Sequence, residues 1–116
     1  MNPPETARSF YVAIDEERYD DLADLLAVEF VHQRPDRTFE GRKPFVEFMR
    51  DDRPQTDTIH ELDGIYVVEN EDDPGRGDEV AVRGRLLDAD DDRLFRFVDV
   101  HTVENGSIAR VRTYTD

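Results

Sequence analysis

The spacing of apolar residues changes period partway along the chain. Ala7, Phe10, Tyr11 and Ile14 recur at i, i+3, i+4 and i+7, one face of an amphipathic helix that fades near Glu17. Pro3 and Pro4 precede it. A second, short helix carries Tyr19, Leu22, Leu25 and Leu26 on one face, and Asp20 and Asp21 near its start complement the helix dipole. A short strand over 30–33 follows. It breaks at Arg34-Pro35-Asp36-Arg37, because proline cannot donate to a ladder. Gly41 and Pro44 introduce a third helix with Phe45, Phe48 and Met49 turned inward, and Arg53-Pro54 closes it.

After Pro54 the pattern becomes extended. Strands are predicted over 58–69, 79–87, 94–103 and 107–115. A polar turn over 71–78, an acidic turn over 88–92 and the Asn105-Gly106 hairpin signal separate them. Segregated helices and strands predict an α+β fold, with three N-terminal helices packed on a curved, mostly antiparallel sheet. Phe95 and Phe97 point one way, while Leu94, Val98 and Val100 point the other. One face serves the helices. The other needs cover, and a homodimer through the open sheet face is the simplest cover.

Length and charge narrow the function. The 116 residues fit one domain spanning 1–116. A net charge of −14 repels phosphate, so nucleic acid is not an expected partner. Cysteine is absent, which excludes disulfides, thiolate metal sites and a cysteine nucleophile. No apolar run has the length of a signal peptide or membrane span, which predicts a cytoplasmic protein without a membrane partner. Fourteen of the 15 basic residues are arginine, and 18 of the 29 acids are aspartate. Dense aspartate with almost no lysine resembles proteins of salt-accumulating extreme halophiles, and an acidic mesophilic protein is the alternative. Phe, Tyr and Val placed periodically argue for a folded chain rather than a disordered one.

Several segments, taken in order, resemble the NTF2-like superfamily of cone-shaped α+β domains, in particular its SnoaL-like and ketosteroid isomerase-like branches. Tyr11-Val12-Ala13-Ile14 followed by Tyr19-Asp20-Asp21-Leu22 is similar to its first helix and the entry to its second. Phe30-Val31-His32-Gln33-Arg34-Pro35 is similar to its first strand, and Phe39-Glu40-Gly41-Arg42 before Phe45-Val46-Glu47-Phe48 to its glycine-led third helix. Phe97-Val98-Asp99-Val100 and the segment 104–111 are similar to its final hairpin. The resemblance implies a pocket between the helices and the concave sheet. In ketosteroid isomerases a first-helix tyrosine and a protonated aspartate hold an oxyanion, and a first-strand carboxylate moves the proton. The tyrosine corresponds to Tyr11 and the aspartate to Asp99. The base position holds Arg34, which stays protonated and cannot abstract a proton.

Each candidate carries a plainer alternative. Asp99 lies in apolar strand sequence, and burial in a pocket would raise its pKa; it could instead point outward or pair with Arg112 or Arg85. Tyr11 could simply pack. His32 shares parity with Phe30 and Arg34 and is the best substitute base, or a structural histidine. Arg34 could bind a substrate anion or pair with a local acid. His101 shares the parity of Asp99, and His60 lies on the first long strand of the meander; both are weaker substrate-binding candidates. No His-x-His spacing and no phosphate loop appears, so neither a metal nor a cofactor is expected.

The resulting expectation is a small-molecule-pocket protein. As an enzyme it would be an isomerase, cyclase, dehydratase or hydrolase acting on a small, largely apolar substrate. Asp99, Tyr11 and His32 would be catalytic, and Arg34, His101 and His60 would bind substrate. The alternatives are a non-catalytic ligand-binding or dimerisation domain and a protein-interaction module, so whether any reaction is catalysed stays open at this point.

Overall fold

A computed structural model describes residues 1–68 and 78–116 of the chain. Helix α1 (Pro3–Asp15) starts earlier than its apolar stripe suggests: Pro3 and Pro4 occupy its first positions and the Asn2 side chain accepts from the Glu5 N–H at 2.9 Å. The helix ends at Asp15, and Glu17 adopts φ 56° beyond it. Helix α2 (Tyr19–Leu25) gives way directly to strand β1 (Leu26–Gln33), which is longer than the four residues expected.

The turn after β1 returns as a short strand, β2 (Thr38–Glu40), that the sequence reading missed. The Arg34 N–H donates to the Arg37 carbonyl at 2.8 Å, so Pro35-Asp36 makes a hairpin turn rather than a simple break. Helix α3 (Arg42–Glu47) follows Gly41, whose φ of 102° favours glycine, and runs into a π-helical turn, Phe48–Asp52. The expectation of three N-terminal helices is thereby corrected. Only α1 and α2 precede the sheet, because the β1–β2 hairpin separates them from α3.

Strands β3 (Ile59–Val68), β4 (Asp78–Leu87), β5 (Arg93–Glu104) and β6 (Ser107–Thr115) complete one six-stranded sheet of order β2-β1-β6-β5-β4-β3. The sheet is mixed, since β1 runs parallel to β6 and every other pairing is antiparallel. The polar turn expected over 71–78 lies outside the described residues apart from Asp78, which opens β4. Asn105 and Gly106 take φ 52° and 81°, as a two-residue type I′ hairpin requires. No helix among the described residues is long and apolar enough to cross a membrane.

The core lies between α1, α3 and the concave face. Ala7, Phe10, Tyr11 and Ile14 of α1 are all buried, as their spacing requires. They meet Val80 and Val82 of β4, Phe97 and Val103 of β5 and Val111 of β6. Gly84 faces Phe97 across the β4–β5 ladder, and a Cβ there would stand 2.9 Å from the Phe97 ring and 2.5 Å from the Glu61 carbonyl oxygen. The glycine therefore lets the ring lie flat against β4. Leu94 departs from strict alternation. Leu86 pairs with Phe95 and Leu87 with Arg93, which leaves Leu94 as the extra residue of a bulge and turns it to the mouth of the cavity described next.

Candidate functional site

Alternation along β5 turns Phe95, Phe97, Asp99 and His101 to the concave face. Val82 of β4 and Thr113 of β6 flank Asp99 in register, and His32 of β1 lies opposite Val111, one strand further out. A cavity of about 440 Å³ opens over this wall. Phe10, Ile14, Phe45 and Phe97 form its buried floor together with Asp99, whereas Pro35, Asp36, Pro54, Gln55 and Thr115 are exposed and form the rim. Its lining is largely aromatic and aliphatic, with a few polar groups converging on it.

Asp99 is 6% exposed. Burial raises its pKa above the ordinary carboxylate value, opposed by hydrogen bonds from Thr113 and Tyr11. The Tyr11 hydroxyl donates to Oδ2 at 2.6 Å, and the Thr113 hydroxyl donates to Oδ1 at 2.5 Å. Each hydroxyl also meets a histidine. His101 Nε2 lies 2.7 Å from Tyr11 Oη, and His32 Nε2 lies 2.8 Å from Thr113 Oγ1.

Proton counting assigns these contacts. A hydroxyl has one proton, and with Asp99 ionised both are given to the carboxylate. Both histidines must then donate through Nε2–H, which leaves each Nδ1 unprotonated. The two Nδ1 atoms are buried and have no hydrogen-bond partner among the described residues. Desolvation, first among the causes, lowers both histidines to a pKa of about 3, with Arg34 adding to the effect at His32 and His32 adding at His101. Both are neutral at ordinary pH. Burial, followed by the nearby Asp99 charge, raises Tyr11 well above its usual value, so it remains a donor.

The network has two arms of the same composition, histidine to hydroxyl to carboxylate. Protonating Asp99 reverses the hydrogen bonds along one arm without moving a heavy atom: the carboxyl donates to the hydroxyl, which donates to the histidine, whose proton then sits on Nδ1. The carboxyl can thus hold or release a proton while both hydroxyls and both Nε2 atoms keep their hydrogen bonds.

The residues singled out from sequence divide on this frame. Asp99, His32, Arg34 and His60 line the cavity. Tyr11 joins Asp99, as the resemblance implies, but at 2% exposure it lies behind the wall. Its proton points at Asp99 rather than at the cavity. His101, expected to touch substrate, is fully buried behind Tyr11 and does not line the cavity. His60 reaches the wall while its Nδ1 and backbone N–H hold Asp15 at 2.6 and 2.9 Å. Arg34 pairs with Asp36 at 3.2 Å. Thr113 and Arg53 were not singled out. Thr113 is legible only through its register opposite Asp99, and Arg53 only through the π-helical turn that precedes it. Among the described residues no three His, Asp or Glu side chains are grouped to hold a metal ion.

The fold has well-populated company. An NTF2-like protein of unknown function from Cytophaga hutchinsonii superposes with a TM-score of 0.79 at 14% identity, covering 100% of this chain and 91% of that one. A Kribbella flavida protein, provisionally assigned as a ketosteroid isomerase, gives 0.80 at 19% identity, covering 97% and 76%. An LEH-like epoxide hydrolase from M. tuberculosis gives 0.70 at 18% identity, covering 97% and 81%. Identities this low establish the shared NTF2-like fold and nothing of the chemistry. Among curated proteins none matches the sequence. The sequence itself matches the SnoaL-like domain over residues 7–111, nearly its whole length, and the chain belongs to that family.

Proposed function

We propose that this chain is an acid–base catalyst acting on a small, largely apolar molecule, with Asp99 as the group that exchanges a proton with the substrate. One observation carries the reading: a buried carboxyl at the wall of an apolar cavity, with each oxygen held by a hydroxyl that is itself held by a neutral histidine. Hydrogen bonds to an ionised group contribute about 1.5–3 kcal/mol each, which offsets much of the desolvation of the carboxylate and leaves it responsive to a substrate. A proton-transfer group is most effective when its two protonation states are close in energy.

His32 and Thr113 form the arm nearer the cavity, and both line it. In this reading His32 accepts or returns a proton at Nδ1, and Thr113 passes the change to Asp99. Tyr11 and His101 are positioning residues that fix the carboxyl from behind. His60 and Arg34 shape the wall. Isomerisation, cyclisation and epoxide opening all need a proton moved beside an apolar body, and the neighbours named for isomerase and hydrolase activity share this fold.

The test is turnover of a β,γ-unsaturated cyclic ketone and of a cyclohexene oxide, comparing the wild type with Asp99→Asn. Loss of turnover by about a hundredfold or more in the variant is expected, the range of a removed general acid or base. Equal rates in the two proteins refute the role of Asp99. A wild type that binds such molecules and converts none of them favours the second reading, a non-catalytic ligand-binding or dimerisation domain. The observation on its side is Arg34, held by Asp36 where the resemblance places a base.

The proposal also carries a cytoplasmic location and a homodimer through the outer sheet face. That face shows Val98 and Tyr114 in register, with Arg110 and Arg112 beside Glu29, Glu79 and Glu104. Both charge signs on one patch make it self-complementary, as a twofold interface needs.

A further inference from the structure

Arg53 is the cation of the cavity that no carboxylate among the described residues matches. It lines the cavity, and it is half-buried. Among the described residues no acid lies within ion-pair distance of it, in a chain of 29 acids. Among the described residues its guanidinium reaches only two hydroxyls, Thr58 Oγ1 at 3.4 Å and Tyr19 Oη at 3.3 Å, both at the long end of hydrogen bonding. Its Nε–H is shielded from water and has no acceptor among the described residues. Arg34, the other arginine on the wall, has its charge matched by Asp36 at 3.2 Å.

The backbone holds Arg53 in this place. The π-helical turn over Phe48–Asp52 ends directly before it, and Pro54 after it disfavours helical backbone. Arg53 accordingly sits at φ −66° and ψ 128°. A partly desolvated guanidinium without a counter-charge costs free energy that weak bonds to hydroxyls do not offset. A ligand carboxylate would satisfy those donors, because a guanidinium presents planar, forked N–H groups that match it. One unmatched cation, with no glycine-rich phosphate cradle among the described residues, suits a single negative charge better than a phosphate.

We propose that Arg53 is the anion-binding residue of the cavity and that the ligand is a compact, largely apolar molecule bearing one carboxylate. This rests on the cavity being the ligand site proposed above and deepens that reading by naming the ligand's charge. It also moves the anion-orienting role expected of Arg34 to Arg53.

The probes are 2-naphthoate and its neutral isostere 2-naphthamide, titrated calorimetrically into the wild type, Arg53→Gln and Arg34→Gln. The wild type should prefer naphthoate by about tenfold, the scale of one charge-assisted hydrogen bond. The preference should vanish in Arg53→Gln and persist in Arg34→Gln. Should Arg53→Gln melt too low to titrate, the Arg53 Nε–H resonance of the wild type, assigned by its loss in Arg53→Lys, should shift with naphthoate and not with naphthamide. Equal affinity for the two probes, a preference that survives Arg53→Gln, an unmoved resonance, or no saturable binding of either probe overturns the inference. Its failure is separable from that of the catalytic reading. Naphthoate held through Arg53 in a protein without turnover removes only the catalysis, and Asp99-dependent turnover without carboxylate preference removes only the role of Arg53.

Discussion

His101 stays neutral beneath Tyr11, its pKa lowered to about 3 by burial and then by His32. In the unfolded chain the same side chain titrates near 6.5, about the model-peptide value. As pH falls below about 6.5 the unfolded state binds a proton that the folded state refuses, so stability falls with pH. Each pH unit in that window costs roughly 1.4 kcal/mol per group, which makes the loss about 2 kcal/mol between about pH 7 and pH 5. The loss continues until the folded state itself takes the proton near about 3. His32, lowered to about 3 by burial and Arg34, adds a loss of the same sign. Small domains are stable by about 5–15 kcal/mol, so two such histidines decide whether this one survives mild acid. Asp99 acts in the opposite sense. Its folded pKa is raised, so its contribution is present at low pH and is lost as pH rises through the folded value. The exposed acids complicate absolute slopes, and a variant cancels them. The side-chain amide introduced by His101→Gln can still donate to the Tyr11 hydroxyl but does not titrate. Urea unfolding of both proteins at about pH 7, 6 and 5 should show the wild type losing roughly 2 kcal/mol more than His101→Gln over that range. Parallel pH dependences would refute a buried neutral imidazole at this position.

Three further outcomes follow from the same geometry. Tyr11→Phe and Thr113→Val each remove a donor to ionised Asp99, so carboxyl-carbon NMR should place its titration higher in each variant, and an unchanged titration contradicts the two-armed network. Gly84→Ala sets a Cβ against the Phe97 ring at 2.9 Å and the Glu61 carbonyl oxygen at 2.5 Å, and should lower stability by about 1–3 kcal/mol in urea unfolding, with a neutral effect showing that β3 and the ring can give way. Raising KCl from about 0.1 M to about 1 M shortens the screening length from about 10 Å to about 3 Å, so a chain of net charge −14 should melt higher; a flat or falling melting temperature means that repulsion among its acids does not limit stability.

The fold was legible wherever one residue type dictates one backbone. The i, i+3, i+4, i+7 stripe of α1 and the Asn105-Gly106 turn fall where pattern and steric limits place them. Strand β2 was not legible, because three residues carrying one buried phenylalanine give too short a period to recognise. Its existence depends on pairing with β1, a tertiary fact. The parallel β1–β6 pairing is equally non-local, since nothing in either segment announces the direction of its neighbour. Leu94 misled because alternation holds only until a bulge inserts a residue.

The site was legible in the same uneven way. Asp99 stood out because a carboxyl in apolar strand sequence is costly unless something holds it. What holds it could not be read, because its partners come from α1 and β6 and only register selects them. His101 shows the limit from the other side. Parity put it on the face of Asp99, yet α1 crosses the wall there and Tyr11 covers the ring. A shared face is therefore not a shared cavity, and depth along the strand decides between a wall residue and one behind it. The same reasoning explains why the acids that dominate the composition say little about the site. Clusters such as Asp90, Asp91 and Asp92 sit exposed in a turn that Asp88 closes by accepting from the Asp90 and Asp92 N–H groups. Charge in water is cheap and screened, whereas Asp99 and Arg53 sit where desolvation makes every missing partner count, so the buried polar atoms rather than the surface charge define what the cavity can bind.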